Sequence, residues 1–340
     1  MKNVVFILGL ISSFNVMADD VTIVGQSDSN DASTKCGDNC TWTLYSNGKL
    51  EIKGTGDMYN YTADDTGTPL WEGTHSWQTT APWGEYSTQI SHIDISEGIL
   101  SIGSAAFYHV AAQSVRIPEG VKNINGGAFQ YSTLLNVTLP STLETISDAV
   151  FYSTNIDNLI VPEGVAEIGP NALSTINTLI LEGDTQFGDN AFWVDSESSV
   201  GMHIPTVVYC QPTNTSCNSL KNNEEIGDKI ITYNKESGVY VLDGQMYASP
   251  IDMANTQNAC VDMDICKAKV LQNKGYCSSN EACAAMVEAE NANHPIEYKN
   301  KSYASIDDLL KGKHMPKRIY TIDEANAVTG NKNRVSIKYR

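Results

Sequence analysis

The sequence predicts a β-solenoid of about five 22-residue coils, with an N-terminal β-hairpin cap and a small disulfide-containing α+β module at the C-terminal end. Apolar side chains recur at a fixed interval in the middle of the chain, an Asn-Gly pair separates two apolar runs before them, and a cysteine-rich stretch follows. With 340 residues, of which 41% are apolar, the chain can bury a sizeable core. We expect four parts: a signal peptide at 1–18, a cap and lead-in at 19–89, the solenoid at 90–217 and the module at 218–340.

The first residues are typical of a secretory signal. Lys2 precedes an apolar run at residues 4–11. Val16 and Ala18 then place small residues at the −3 and −1 positions, ahead of an acidic pair. This pattern predicts cleavage after Ala18. A membrane anchor is the alternative interpretation, but the apolar run has eight residues, and a helix that spans a bilayer needs about 20. We therefore expect an exported protein without a transmembrane segment, which is secreted, periplasmic or associated with the cell surface.

A hairpin is predicted ahead of the repeats. The apolar runs Trp42-Thr43-Leu44 and Leu50-Glu51-Ile52 lie on either side of Asn47-Gly48, and Asn-Gly is a strong signal for a tight hairpin turn. The ends of a solenoid expose apolar coil faces that need covers. We expect this hairpin to cover the first coil.

A 22-residue repeat dominates the middle of the chain. Apolar residues recur at this interval at Ile93, Val115, Val137 and Leu159, and a shortened fifth copy begins at Leu179. Near the end of each copy the same step relates Phe107, Phe129, Phe151 and Leu173, with Phe192 in the shortened copy. A fixed period of this length is typical of a solenoid in which each repeat forms one turn.

Each repeat is expected to begin with a short strand. In Val115-Arg116-Ile117 the outer two side chains point inward and Arg116 points outward, because side chains alternate along a strand. Pro118-Glu119-Gly120 then turns the chain, since proline cannot extend a central ladder and glycine tolerates a positive φ. A single coil buries too little surface to offset its own ordering entropy, so the coils must stabilise one another by stacking.

These repeats resemble the BspA-like leucine-rich repeat family of bacterial surface and secreted proteins. The resemblance rests on the form V-x-I-P-E-G-V-x-x-I-G-x-x-A-F, seen in VRIPEGVKNINGGAF from Val115, and extends over about Cys36 to Cys210. CGDNCTWTLYSNGKLEIKGTGDMYNY is similar to the family's N-terminal hairpin and Ala81-Pro82-Trp83 to its link into the first coil, whereas Ser141-Thr142-Leu143 departs from the repeat form. The resemblance implies a leucine-rich-repeat β-solenoid that binds protein or matrix at a cell surface, without catalysis.

The cysteines are most simply disulfides in an oxidising compartment. A zinc site or a cysteine nucleophile is the alternative, but no C-x-x-C spacing occurs. The close pairs Cys36 with Cys40 and Cys210 with Cys217 favour local bridges. The last four allow three pairings: their matching spacing suggests local bridges, and a nested arrangement stays open. These four are Cys260, Cys266, Cys277 and Cys283.

The sequence changes character beyond residue 217. Ile230-Ile231-Thr232-Tyr233 and the apolar run at residues 239–242 predict a hairpin across Lys235-Glu236-Ser237-Gly238. Tyr247-Ala248-Ser249 and Tyr303-Ala304-Ser305 each precede an Ile-Asp pair. This similarity indicates an internal duplication in the C-terminal module.

Charge is unevenly distributed along an acidic chain with a formal net charge of −18. Residues 90–210 hold 13 acids against only Arg116 and Lys122, which argues against nucleic acid as a partner because binding to phosphates needs Lys and Arg. Residues 299–340 instead hold ten basic residues against four acids. Two interpretations stay open: a solvated, unrelated basic tail, or a tail that contacts the acidic solenoid or an anionic surface.

The sequence carries no recognisable catalytic or metal-binding constellation. Its six histidines never lie within five residues of one another, and the spacings of a nucleophile elbow and of a phosphate-binding loop are absent. We therefore expect no enzyme activity, no metal ion and no cofactor.

The candidate ligand-binding surface is the outward side of the repeat strands. Its central positions are Asp94, Arg116, Thr138, Ile160 and Ile180. The first three are polar, whereas the two isoleucines, beside Val208, predict a contiguous apolar patch. Two interpretations compete: the patch contacts a partner, or the C-terminal module folds back and covers it.

These observations favour a non-enzymatic, secreted or surface-associated protein that mediates adhesion by binding a protein or extracellular-matrix ligand. The alternative is a structural envelope protein, in which the solenoid is a spacer and the C-terminal module is the working part. A hydrolase in the C-terminal third is a third hypothesis, which a reactive unpaired cysteine would revive.

Overall fold

The computed structural model describes residues 21–28, 30–64, 78–192, 204–224 and 226–314. The expected signal peptide and the part of the basic tail from residue 315 onward lie outside the described residues. The chain divides into two compact units. Unit 1 runs to Val207 and includes Glu224–Lys229, and unit 2 comprises Val208–Asn223 and the chain from Ile230 onward. The division falls at Val207, ahead of the boundary at Cys217 expected from the sequence.

Unit 1 is built from short strands, two for each repeat. In chain order its described strands are β1 (Ile23–Gln26), β2 (Asn39–Tyr45), β3 (Lys49–Asp57), β4 (Ala63–Asp64), β5 (Gln78–Thr79), β6 (His92–Ile95), β7 (Ile99–Ile102), β8 (Ser114–Arg116), β9 (Asn123–Ile124), β10 (Asn136–Thr138), β11 (Thr145–Ile146), β12 (Asn158–Val161), β13 (Glu167–Ile168), β14 (Thr178–Leu181) and β15 (Gln186–Phe187). Its described 3-10 helices are Ala32–Thr34, Gly84–Gln89 and Gly227–Lys229.

Two parallel ladders run through the repeats. The front sheet consists of β6, β8, β10, β12 and β14, and the back sheet consists of β7, β9, β11, β13 and β15. In the front sheet Val137 pairs with Val115, and in the back sheet Ile146 pairs with Ile124. Equivalent positions of neighbouring repeats therefore lie side by side, and the period of the sequence becomes the stacking of the coils.

The predicted alternation is confirmed in β8, the strand of the second repeat. Val115 and Ile117 are buried and Arg116 between them is exposed. The turn that follows contains Gly120 with a φ of 103°, a left-handed conformation that glycine adopts without steric cost. Ile124 and Ile146 of the back sheet are buried as well, so both sheets contribute side chains to the core.

The phenylalanines that recur at the repeat interval stack in a buried column, which we call the phenylalanine column, and a tryptophan extends it. Phe107, Phe129 and Phe151 are fully buried, with successive ring centroids 5.2 and 5.8 Å apart and interplanar angles of 18° and 16°. Trp83 stacks on Phe107 at 5.8 Å and donates its indole N–H to the carbonyl of Ala106. The amide of Phe129 donates to the carbonyl of Val150 in the next coil at 3.0 Å. Ring stacking and main-chain bonding therefore join the coils at the same position.

The predicted hairpin is present, with Trp42 of β2 opposite Ile52 of β3. The same β3 pairs in parallel with β6, which places Leu50 opposite Ile93, and its last residues pair with β7. This strand therefore takes part in both sheets. Between the residues that pair with β6 and those that pair with β7 lies Gly54, whose φ is 140° and where a Cβ atom would collide with the carbonyl oxygen of Asn39.

Unit 2 combines small sheets with short helices. Its described elements are β16 (Val207–Cys210, which begins at the division), α1 (Thr215–Lys221), β17 (Ile230–Thr232), β18 (Asn234–Glu236), β19 (Val239–Leu242), β20 (Gln245–Tyr247), α2 (Pro250–Ala254), α3 (Met263–Asn273), α4 (Asn280–Asn291), β21 (Ile296–Tyr298), β22 (Lys301–Tyr303) and α5 (Ile306–Leu310). Among the described residues, no helix combines the length and the apolar character needed to cross a bilayer.

One predicted pairing in this unit is wrong. Residues Ile230–Thr232 do not form the first arm of the hairpin with β19, because β17 pairs in parallel with β16. The first arm is β18 instead. Ser237 and Gly238 both have positive φ values, as a two-residue hairpin turn of the type I′ requires, and such a turn places Glu236 opposite Val239.

The internal duplication has a structural counterpart. The hairpins β19–β20 and β21–β22 each lead through the Tyr-Ala-Ser segment into a short helix. Ser249 accepts a hydrogen bond from the amide of Asp252 at the start of α2, and Ser305 accepts one from the amide of Asp308 at the start of α5. Both serines therefore serve as N-caps.

All eight cysteines form local disulfides: Cys36 with Cys40, Cys210 with Cys217, Cys260 with Cys266 and Cys277 with Cys283. Of the pairings that stayed open for the last four, the structure therefore contains the local one. Each of these two bridges closes a loop at the start of a helix, α3 or α4.

Candidate functional site

Two rows of side chains form the outward side of β3 and the front sheet, which we call the strand face. The pairing register of the strands defines both rows. The first row contains Lys49, His92, Ser114, Asn136, Asn158 and Thr178. The second row contains Glu51, Asp94, Arg116, Thr138, Ile160 and Ile180. The five candidate residues thus lie in a single row, with neighbours separated by about 4.8 Å, the distance between adjacent strands.

A groove with a volume of about 530 Å³ crosses the first three repeat strands of this face. Asp94, Arg116 and Thr138 line it, and all three are exposed. Ser114 and Asn136 line it from the first row. These side chains provide a carboxylate, a guanidinium, hydroxyls and an amide, which together can donate and accept several hydrogen bonds. The structure therefore brings three of the five candidate residues together in one groove, which Glu97 lines with a second carboxylate.

A charged network occupies the N-terminal end of the rows. The ammonium group of Lys49 lies 2.8 Å from the carboxylate of Glu51 and 3.0 Å from that of Asp94, and Lys53 lies 2.7 Å from Glu51. Hydrogen bonds from Lys49 and then Lys53 lower the pKa of Glu51 to about 2, because they stabilise its ionised form. The acidic side chains at this end of the strand face are thus already compensated by lysines.

The participation of β3 in the strand face was not predicted. Its outward residues Lys49 and Glu51 were assigned only to a covering hairpin. A usable signal was present, since Leu50-Glu51-Ile52 has the same apolar–polar–apolar form as Val115-Arg116-Ile117.

The two basic residues of the repeats have different surroundings. Lys122 lies on the back-sheet side, where its ammonium group is 2.8 Å from the carboxylate of Glu144 in the next repeat. Arg116 lies in the groove and makes no ion pair with any residue that the structure describes. Arg116 is therefore the cation of the strand face that is available to a ligand.

The apolar end of the second row differs from the prediction. Ile160 is half-buried, but Ile180 is completely buried, as is Val208. The expected exposure of Ile180 is therefore wrong. Burial of an isoleucine side chain stabilises the fold by about 2 kcal/mol, which favours a covered position over an open one. Only Ile160 adds accessible apolar surface to this end of the row.

Unit 2 has a groove of its own, with a volume of about 390 Å³, between α3 and α4. Ile265, Ala268, Ala284 and Val287 contribute its apolar lining. Ile265 is 43% exposed and the nearby Val261 is 86% exposed. This is a second surface on which apolar side chains are accessible.

A family model of repeated sequence matches the part of the chain that forms the coils. Residues 85–197 match the family model described as "BspA type Leucine rich repeat region", in 6 copies. The match begins at Glu85 and therefore does not include the hairpin. No curated protein matches the chain.

Two solved structures are similar to parts of the chain. The first is a leucine-rich repeat protein from Eubacterium ventriosum ATCC 27560, at 22% identity over 60% of this chain and 46% of that chain, with a TM-score of 0.42. The second is a leucine rich cell surface protein from Faecalibacterium prausnitzii A2-165, at 17% identity over 43% of this chain and 54% of that chain, with a TM-score of 0.18. The chain thus spans about half the length of each.

Proposed function

We propose, from the premise that residues 85–197 are a BspA-type leucine-rich repeat region, that this protein is a non-enzymatic binding protein. It recognises a protein or extracellular-matrix ligand through its strand face and mediates adhesion. The observation that carries this proposal is the groove over β6, β8 and β10, which aligns Asp94, Arg116 and Thr138 in one exposed row.

The proposed setting is outside the cytoplasm. The signal sequence expected at 1–18 supports export, and four disulfides are typical of an oxidising compartment. In this proposal about five coils present the binding face, the β2–β3 hairpin covers their N-terminal end, and the α+β module follows. The basic residues from 299 onward contact an anionic surface.

The proposal predicts that a lysine at position 138 weakens binding at least about tenfold, because a long charged side chain in the centre of the groove obstructs a docked partner. The full-length mature chain, Thr138→Lys and Thr145→Lys would be compared by biolayer interferometry against solubilised cell-surface proteins and an extracellular-matrix preparation. Thr145 is the matched control, since it is a strand threonine of the same repeat on the back sheet.

Thr145→Lys should bind like the unmodified chain. Equal binding by all three proteins, or no saturable binding by the unmodified chain, would contradict the proposal.

The accessible apolar side chains between α3 and α4 favour a second candidate, the structural envelope protein whose C-terminal module is the working part. Its binding would depend on Ile265, which is exposed in the groove of unit 2. In the same assay, Ile265→Lys would then lose binding and Thr138→Lys would keep it. The leading proposal predicts the opposite.

A further inference from the structure

We infer that a segment of this chain occupies the groove of unit 2 between α3 and α4. The segment is residues 322–329, which form a short helix and place their apolar side chains between the two helices. It belongs to residues 315–340, which lie outside the described residues. The inference goes beyond the proposed function, because it concerns unit 2 and does not depend on a ligand of the strand face.

The groove of unit 2 has the form of a helix-binding site. Its lining extends over residues 264–272 of α3 and 280–291 of α4, which corresponds to about 12 and 16 Å at a rise of 1.5 Å per residue. Ala268 and Ala284 contribute only methyl groups to the lining, which leaves room for larger side chains, and Ile265 is 43% exposed. Apolar side chains spaced along two helices suit a third, amphipathic helix.

The sequence predicts a helix for residues 322–329. Thr321 and Glu324 have the spacing of a capping box, in which each side chain accepts a hydrogen bond from the backbone amide of the other residue. Gly330 follows at the position where a glycine commonly ends a helix. A helix over 322–329 is about 12 Å long, which matches the length of the groove lining on α3.

One face of this predicted helix is apolar. Ile322, Ala325 and Val328 follow one another at steps of three residues, which places them within an arc of about 120° because successive residues are about 100° apart. A helix of this length is marginal in water on its own. Its stability therefore depends on packing this face against another surface, and the groove of unit 2 provides an accessible apolar one.

The connection from α5 is long enough to return the chain to the groove. The amide of Ile306, at the start of α5, donates to the carboxylate of Glu290 at 2.7 Å. Glu290 directly precedes Asn291, which lines the groove. Residues 315–321, between the described chain and the predicted helix, span up to about 23 Å when extended. This span exceeds the length of α4, which is about 18 Å.

Charge has a secondary role in this contact, because both surfaces carry both signs. The lining of the groove includes the carboxylates of Asp264 and Glu288 and the ammonium group of Lys269. Residues 317–324 contain two basic residues followed by two acidic ones. The apolar face of the segment therefore specifies the contact, and the basic residues at 332–340 stay outside the groove.

Site-specific photo-crosslinking in the full-length mature chain tests the inference. A photoreactive amino acid replaces Ala284, which lines the groove, or Ala285, the matched control, which is exposed on the same helix outside the groove lining. After irradiation the monomer is isolated, reduced and digested, and the crosslinked peptides are identified by mass spectrometry. Position 284 should crosslink to residues 315–340 of the same chain, and position 285 should not.

A second pair of variants tests the apolar face of the segment. Ile322→Lys should lower the yield of the crosslink from position 284 at least about fivefold, because it replaces a buried apolar side chain with a charged one. Ala327→Lys is the matched control, since Ala327 lies on the opposite side of the predicted helix. It should leave the yield unchanged.

Equal crosslinking from positions 284 and 285, or no crosslink to residues 315–340, would overturn the inference. A covalent dimer from position 284 would also overturn it, because a second copy would then occupy the groove. Equal losses in Ile322→Lys and Ala327→Lys would show that the apolar face of residues 322–329 does not make the contact. Each of these failures leaves the proposed function of the strand face intact.

Discussion

Replacing Phe129 with alanine should lower the free energy of unfolding of unit 1 by about 3–5 kcal/mol, the cost of removing a buried aromatic side chain from a packed core. Phe129 has ring partners on both sides, Phe107 and Phe151, at 5.2 and 5.8 Å. Shortening the Phe129 side chain to alanine thus leaves a cavity in the middle of the column and removes two stacking contacts. A cost of this size is a large part of the stability of an ordinary domain.

Denaturant titration followed by tryptophan fluorescence measures this effect in the intact chain. All five tryptophans lie at or before residue 193, so the signal reports on unit 1. Leu135→Ala is the matched control, because Leu135 is an apolar residue of the same repeat but is 41% exposed. It should change the free energy of unfolding by no more than about 0.5 kcal/mol. Similar losses in the two variants would show that the phenylalanine column is not the core of the solenoid.

In unit 2, Glu290→Ala should lower the free energy of unfolding by about 3 kcal/mol, because it removes one partner of a largely buried ion pair. One carboxylate oxygen of Glu290 accepts a hydrogen bond from Lys267 at 2.7 Å, and the other accepts one from the backbone amide of Ile306 at 2.7 Å. The side chains of Lys267 and Glu290 are only 12% and 15% exposed. Shortening the Glu290 side chain to alanine leaves the ammonium group of Lys267 and the amide of Ile306, the first residue of α5, without this acceptor.

Circular dichroism at 222 nm is the appropriate probe for this variant, since all five α-helices of the described residues lie in unit 2. Asp307→Ala serves as control: it breaks the exposed ion pair between Asp307 and Lys311 within α5 and should cost less than about 1 kcal/mol. If both variants lose the same stability, the contact of Glu290 with α3 and α5 has no special role. Unchanged tryptophan fluorescence would locate the effect in unit 2.

The repeat core could be predicted from the sequence because its signal is periodic. Phe107, Phe129 and Phe151 recur at one interval, and a parallel ladder converts that interval directly into spatial neighbours. The hairpin was predictable for a similarly local reason, the Asn-Gly turn. The contribution of Trp83 to the column could not be read from the period, since it precedes the first repeat.

Other features depend on contacts that sequence patterns do not encode. Alternation correctly places Arg116 on the outside, but the burial of Ile180 depends on tertiary packing. The polar arm β18 lacks the composition of a strand, and its pairing follows from the Ser237-Gly238 turn. The ion pair between Lys49 and Asp94 joins residues of different elements, so no local pattern indicates it.

The most direct test of the strand face as the binding surface is site-specific photo-crosslinking. A photoreactive amino acid would be placed at position 138 in the groove or at position 145 on the back sheet of the full-length chain, which is then irradiated with a cell-surface and matrix preparation. We predict a discrete crosslinked partner from position 138 that is absent from position 145. Equal crosslinking from both positions, or a partner captured only from position 145, would contradict the account.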